Sequence, residues 1–390
     1  MQDPDIRPLA RIEAQVFRVP LDRAVETSFG AMRDRPAVFV RLEDDEGAFG
    51  WGEVFANWPA AGAEHRARLL VLDLADLLIG QRFADRHAPF HDLTARTRIR
   101  ALQGREWGPF DQVIAGLDIA FHDLLARRAG LGLARFLNPD APDSVPTYAS
   151  GIHVRGAADT IAACRAAGHD AFKIKVGFDL PADIRATLSL VDGLAAGERL
   201  FTDANQGWDV PQAIRFAEAV GEAPPGWIEE PIPADAPPGD WARVAAASRA
   251  PLAGGENIAG RDGFDAAIAS GLFGVLQPDI VKWGGLTGCG PVARAALDRG
   301  LTYCPHYLGG GIGLLASAAL LAATGGPGLL EVDVNPNPLR VAFDPFPDGT
   351  AQNRLILPDR PGLGITELPE SLAPHRTLQA SATHKGVQMG

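Results

Sequence analysis

The chain has 390 residues, with 36 Lys plus Arg against 48 Asp plus Glu and a net charge of −12. Its globular balance of apolar and charged residues excludes extended disorder, a coiled coil and a collagen-like fibre, and the missing basic excess argues against nucleic acid or an anionic membrane as partner. An eight-stranded β/α barrel takes about 250 residues, which would leave about 140 for a second, smaller unit.

The N-terminus MQDPDIRPLA has no basic start followed by an apolar core. A signal peptide is therefore not expected, and a cytoplasmic protein is. Residues 10–55 read as strands. Val38, Val40 and Leu42 alternate with Phe39 and Arg41, the turn Asp44-Asp45-Glu46-Gly47 follows, and a second strand covers Phe49 to Val54. From Glu64 towards Phe136 the pattern turns helical, with Leu117, Ala120, Phe121 and Leu124 on one face. The loop-forming run Asn138–Asp143 marks a boundary. Residues 1–138 are expected to form an α+β unit and residues 139–345 a second unit.

In that second unit eight short apolar runs alternate with helical stretches. They are Val145–Ser150, Ala171–Val176, Leu200–Ala204, Gly226–Glu230, Pro251–Glu256, Phe273–Gln277, Leu301–Pro305 and Leu329–Val332. Between the second and third, Ile184, Leu188, Val191 and Leu194 mark a helix face. Alternating strands and helices imply a parallel sheet, and eight such units a closed barrel. The most apolar stretch, Ile312–Ala323, is too short for a membrane span and reads as a buried helix. Cys164, Cys289 and Cys304 match no zinc or redox spacing and read as buried thiols. Residues 346–390 form the remaining segment, with a polar, unpatterned tail that begins near Asp348 and is expected to fray after Leu378.

What the eight runs end on is informative, because a β/α barrel carries its active site at the C-terminal ends of its strands. In Phe172-Lys173-Ile174-Lys175 the period of two puts both lysines on one face. Alone, that fits a solvated edge strand as well as a barrel interior. The following runs end on Asp203, Glu229, Glu256, Asp279 and His306, at intervals of 28, 26, 27, 23 and 27 residues from Lys175 onward. Successive β/α units give such spacing, which gathers these side chains around one mouth. Three acids on neighbouring strands repel unless a cation neutralises them. Carboxylate ligands without cysteine favour a hard divalent ion, most simply Mg²⁺. Lys175 and His306 can both move protons, and Asp279 is placed to hold the imidazole. The chemistry suggested is removal of a proton α to a carboxylate, through an enediolate.

The runs KIKVG (173–177), TDANQ (202–206), WIEEP (227–231), GGEN (254–257), QPDIVKWGG (277–285) and PHYLGGG (305–311) resemble the enolase superfamily, and within it the mandelate racemase branch. GWGE (50–53), LDIAFHDLLARRAG (117–130) and PGLGI (361–365) fit the same pattern. The resemblance implies an α+β capping domain completed by the C-terminal segment, and a modified (β/α)7β TIM-like barrel. It implies Mg²⁺ on Asp203, Glu229 and Glu256, and Lys175 as base on one substrate face. His306 with Asp279 would serve the other face, Lys173 and Asn205 would contact the substrate carboxylate or enolate, and Glu331 would be a carboxyl donor to the enolate. Asp279 sorts the branch, since cycloisomerases of the muconate type carry a catalytic lysine at that place. Lys282 is then not catalytic. The expected reaction is dehydration of an acid sugar to a 2-keto-3-deoxy acid. Racemisation, epimerisation and cycloisomerisation are the alternatives, and an idle binding homologue is a remote one. A homo-oligomer acting on a small carboxylate is implied.

Two capping loops of the family close over the substrate. Asn57 and Trp58 in one, and Thr27, Ser28 and Arg33 in the other, are thus candidate specificity residues. Glu230 is expected to turn away into a structural salt bridge, Gly309–Gly311 to form a flexible turn, and Trp283 to pack. The histidines other than His306 show no ligand spacing, and no Gly-x-Ser-x-Gly elbow supports a serine hydrolase.

Overall fold

The computed structural model describes residues 3–28, 30–347 and 351–390, with backbone alone at Arg23. Met1, Gln2 and the expected tail start at Asp348 lie outside the described residues. The first sheet begins with β1 (Leu9–Thr27), β2 (Gly30–Asp44) and β3 (Phe49–Val54), antiparallel in that order. The acidic turn works as its residues suggest: Asp44 Oδ1 accepts from the Glu46 and Ala48 N–H groups, and Gly47 takes a positive φ of 86°.

Strict alternation in β2 does not survive, because Val38, Phe39 and Val40 are all fully buried. The sheet is covered on both faces. One face packs on the helix Trp107–Arg128, whose approach is so close that a Cβ at Gly50 or Gly52 would stand 2.1 Å from the Ala120 or Gly116 carbonyl oxygen. On the other, Phe39 meets Phe343 edge-on at 5.4 Å. The expected helical stretch resolves into Gly62–Leu69, Ala88–Gly104, Trp107–Arg128 and Leu133–Leu137, with short π and 3-10 turns after the first.

All eight apolar runs form strands: β4 (Ser144–His153), β5 (Ala171–Lys175), β6 (Arg199–Asp203), β7 (Ile228–Glu229), β8 (Leu252–Gly254), β9 (Val275–Leu276), β10 (Thr302–Tyr303) and β11 (Leu330–Asp333). They are parallel and ordered β10-β9-β8-β7-β6-β5-β4-β11. The seam between β10 and β11 is closed without a ladder. The Leu329 N–H donates to Cys304 Sγ at 3.3 Å and the Tyr307 N–H to Glu331 Oε2 at 3.0 Å. The bottom of the barrel is plugged by one residue per strand run: Tyr148, Ala171, Phe201, Trp227, Ala253, Val275, Cys304 and Leu329. Phe201 and Trp227 stack with centroids 3.6 Å apart. All three cysteines are free and buried, and no described helix is long and apolar enough to cross a membrane.

The C-terminal segment departs from expectation. β12 (Arg354–Ile356) pairs antiparallel with β4 of the barrel. Beyond it the tail does not fray after Leu378. β13 (Arg376–Thr383) pairs with β1 from Thr383↔Arg11 to Arg376↔Phe17, and β14 (Gly386–Met389) covers the edge of β13. The inward set Leu378, Ala380 and Ala382 is buried. Small alanines between polar neighbours hide the alternation, yet they suffice where the partner strand β1 supplies the bulk.

Candidate active site

The strands deliver their polar ends above the plug. Lys173 is fully buried, and its Nζ lies 2.8 and 2.9 Å from the two Glu229 oxygens and 2.7 Å from Glu331 Oε1. Burial opposes the ammonium, but Glu229 and Glu331 outweigh it and hold the lysine charged. Glu229 also accepts from Trp227 Nε1 and Gln277 Nε2. Glu331 accepts from Ser150 Oγ and, through its other oxygen, from the Tyr307 N–H.

One layer higher, Lys175 Nζ sits 2.5 Å from Asp203 Oδ2. Across the mouth, His306 Nδ1 meets Asp279 Oδ2 at 2.7 Å, while Asp279 Oδ1 is fixed by the Val281 N–H. His306 Nε2 lies 3.3 Å from Glu256 and 4.0 Å from Glu331. Burial disfavours the imidazolium, but Glu256, Glu331 and Asp279 together raise its pKa to about 9. Lys175, Glu256, Lys282, His306 and Asn205 line one cavity of about 590 Å³. Of the nine histidines, only His306 lines it. Trp283 packs on Phe90 and Phe264, as expected.

Asp203, Glu229 and Glu256 stand at the ends of neighbouring strands, but each side chain is engaged by its own lysine: Lys175, Lys173 and Lys282. Among the described residues no group of three carboxylates or histidines converges as a metal-holding cluster. The charge balance of the site is nonetheless informative. Six carboxyl groups (Asp203, Glu229, Glu230, Glu256, Asp279, Glu331) meet four cationic side chains (Lys173, Lys175, Lys282, His306), so acids outnumber cations. Burial and the neighbouring Asp203 push Glu229 up. Burial, Glu256 and Asp203 push Glu230 up to about 8. All-oxygen donors that outnumber the neighbouring cations suit a hard divalent ion.

Several residues are not where sequence reasoning put them. Among the described residues Glu230 makes no salt bridge; its two oxygens accept from Asn257 Nδ2 at 2.9 Å. β7 ends at Glu229, and Glu230 takes a positive φ of 36°, so strand alternation no longer governs its direction. Gly309–Gly311 is no flexible turn. Glu53 accepts from the Gly310 N–H at 2.5 Å and the Gly313 N–H at 2.8 Å, and a Cβ on Gly310 would lie 2.8 Å from Phe39. Burial pushes the Glu53 carboxyl up to about 7, against those two donors. Glu53 therefore pins the loop that carries His306, a role signalled only by an acid inside the apolar run of β3.

The capping loops divide. Thr27, Asn57 and Trp58 line the cavity, and Asn57 Nδ2 donates to the Leu308 carbonyl at 2.6 Å. Ser28 does not line it; its hydroxyl is spent on the Asn205 carbonyl at 2.5 Å. Arg33 is exposed on β2 and does not line it either. Lys282, set aside earlier, does line it, donating to Glu256 at 2.8 Å and to Asn257 at 3.1 Å.

Residues 156–371 match the family model described as enolase C-terminal domain-like, and residues 11–137 that of the mandelate racemase / muconate lactonizing enzyme N-terminal domain. A mandelate racemase/muconate lactonizing enzyme structure from Bordetella bronchiseptica RB50 is 48% identical, with a TM-score of 0.88 over 95% of this chain and 100% of that one. D-galactarolactone cycloisomerase of Agrobacterium fabrum is 29% identical over 372 residues, 92% of this chain and 96% of its own. A mutant of L-talarate/galactarate dehydratase, liganded with Mg and L-glucarate, is 25% identical, with a TM-score of 0.81 over 96% of this chain and 93% of that one. The chain belongs to the mandelate racemase / muconate lactonizing enzyme branch of the enolase superfamily and is an enzyme of the lyase or isomerase type.

Proposed function

We propose that this enzyme abstracts the α-proton of an acid-sugar carboxylate and eliminates the β-hydroxyl, giving a 2-keto-3-deoxy acid. The observation that carries the reading is the pairing of two proton-moving groups, Lys175 and His306–Asp279, on one cavity over a buried acidic floor. Asp203, Glu229 and Glu256 would hold Mg²⁺, whose charge at the substrate carboxylate lowers the cost of the enediolate. Lys173 and Asn205 orient that carboxylate. Lys175 and His306 serve opposite faces of the α-carbon, one taking the proton and the other giving one to the departing oxygen. Asp279 holds the ring so that Nε2 faces the cavity. The apolar plug beneath Lys173 keeps water from the floor, where hydrogen bonds to the developing charge are strongest.

The test is incubation with Mg²⁺ and an acid-sugar panel in D₂O. Expected are α-hydrogen exchange and a product lighter by one water. No exchange and no turnover with any acid sugar would sink the reading. A second reading, opening of a sugar lactone by intramolecular elimination, is favoured by the match to a galactarolactone cycloisomerase along 92% of the chain. It predicts a product of unchanged mass.

A further inference from the structure

Four of the side-chain amides that line the cavity, Asn57, Gln112, Gln206 and Asn335, have one half held by the protein. An amide oxygen only accepts and an amide NH₂ only donates, so a partner on one half decides what the other half can offer. Gln112, on the helix Trp107–Arg128, accepts through Oε1 from Arg66 Nε at 2.9 Å and Arg66 Nη2 at 2.8 Å. Arg66 is buried and also donates to the Gly62 and Trp58 carbonyls, which fixes the guanidinium. Turning the Gln112 amide over would set its NH₂ against guanidinium N–H groups, donor against donor. Its free half is therefore the NH₂. Gln206, just beyond β6 and at a positive φ of 64°, accepts through Oε1 from the Ala234 N–H at 2.8 Å. It too is left with its NH₂.

The two asparagines are set the other way round. Asn57 Nδ2 donates to the Leu308 carbonyl at 2.6 Å. Asn335 Nδ2 donates to the Gly151 carbonyl at 2.9 Å and to Asp333 Oδ1 at 2.8 Å. Each is left with an oxygen to offer. Among the described residues nothing pairs with these four free atoms, and none of the four is a buried atom left unsatisfied. Donors and acceptors whose polarity is set in advance lose their water to an apolar tail without return. A hydroxyl both donates and accepts, so a hydroxylated chain can satisfy either kind.

Resting on the proton-abstraction reading above, we propose that Gln112 and Gln206 are specificity-determining residues. Each donates through its NH₂ to a hydroxyl oxygen of the substrate beyond the reacting carbons, while Asn57 and Asn335 accept from hydroxyls of the same chain. The test compares the best acid sugar of the panel with its deoxy analogues, one for each hydroxyl beyond the β-carbon, by kcat/KM for α-hydrogen exchange with Mg²⁺ present. In the parent, removing a hydroxyl read by a glutamine should cost about three- to tenfold. Gln112→Met and Gln206→Met should each cost the intact substrate about as much, yet leave one deoxy analogue within about twofold of its parent value, because the two losses are the same bond. Should a methionine variant fold poorly, Gln→Glu at the same position keeps the oxygen that Arg66 or the Ala234 N–H holds. A deoxyfluoro analogue, whose fluorine cannot donate, should then fall about tenfold or more against the hydroxyl compound. A parent indifferent to every deoxy change, or variants that lower all compounds alike, would overturn the proposal. Absence of exchange with every compound would remove the proton-abstraction reading instead, and the same ratios taken from calorimetric Kd would still decide the role of the two glutamines. Failure of every compound to bind would overturn that role as well.

Discussion

His306 owes its high pKa to three acids acting against its burial, and Asp279 is the one that also orients it. Asp279→Asn should lower kcat by on the order of 10²-fold. It should also move the His306 limb of the pH–rate profile to lower pH; a drop in kcat with an unmoved limb would mean that Asp279 acts only in folding. Lys175→Ala and His306→Asn should each abolish turnover, and intact turnover in both would refute the assigned roles. Glu53 makes a separate case. Its carboxyl shifts from 4.5 to about 7 on folding, so the folded state holds the extra proton. The stability this group contributes is complete below pH 4.5 and is lost as pH rises through about 7. The difference in Tm between Glu53→Gln and the parent should therefore move in favour of the variant between pH 5 and pH 8. A constant difference would show that Glu53 does not titrate there. Lys175, Asp203, Glu256 and His306 were readable in sequence because each interrupts an apolar run at a fixed interval. Ser28, Glu53 and Glu230 were not, because what they do depends on a partner far along the chain or on one positive φ.

At the scale of elements, the barrel was readable almost strand by strand, since parallel strands buried on both faces are short apolar runs. The capping sheet was half readable. Its hairpin is announced by alternation and an acidic turn, but β13 hides behind alanines. Deleting residues after Leu378 removes β14 and five of the eight residues of β13, leaving the β1 edge bare where Gln379 to Thr383 had paired with it. The truncated chain should melt well below the parent in a thermal scan; an unchanged Tm would mean that the two strands are dispensable. The contact of β3 with the helix Trp107–Arg128 leaves no room for a side chain. Gly52→Ala should therefore cost about 1–3 kcal/mol or more of overpacking, read as a lowered urea midpoint.

Over the whole molecule, the surplus of carboxyl groups over cations at the barrel mouth sets the response to metal. Free Mg²⁺ at 100 times its Kd should stabilise the protein by about 2.7 kcal/mol, seen as a rise in Tm that saturates. The response should vanish in Asp203→Asn combined with Glu256→Gln; a rise that persists in that variant would place the ion elsewhere. The capping side is tied to the barrel mouth by Ser28 to the Asn205 carbonyl, Asn57 to the Leu308 carbonyl, Glu53 to the Gly310 and Gly313 N–H groups, and the buried Arg35–Asp333 pair. None of these ties was visible before folding, because each joins segments far apart in the chain.

The layer from Tyr148 to Leu329 closes the barrel from below, and this has a kinetic meaning. A vessel sealed at one end has a single doorway, so whatever is made must go out by the route through which the next molecule comes in. Product should accordingly compete directly with substrate, raising KM and leaving the maximal rate untouched. Initial-rate measurements with added product should show lines that meet on the ordinate of a double-reciprocal plot; parallel lines would mean that product binds alongside bound substrate, which one shared closed-ended cavity does not allow.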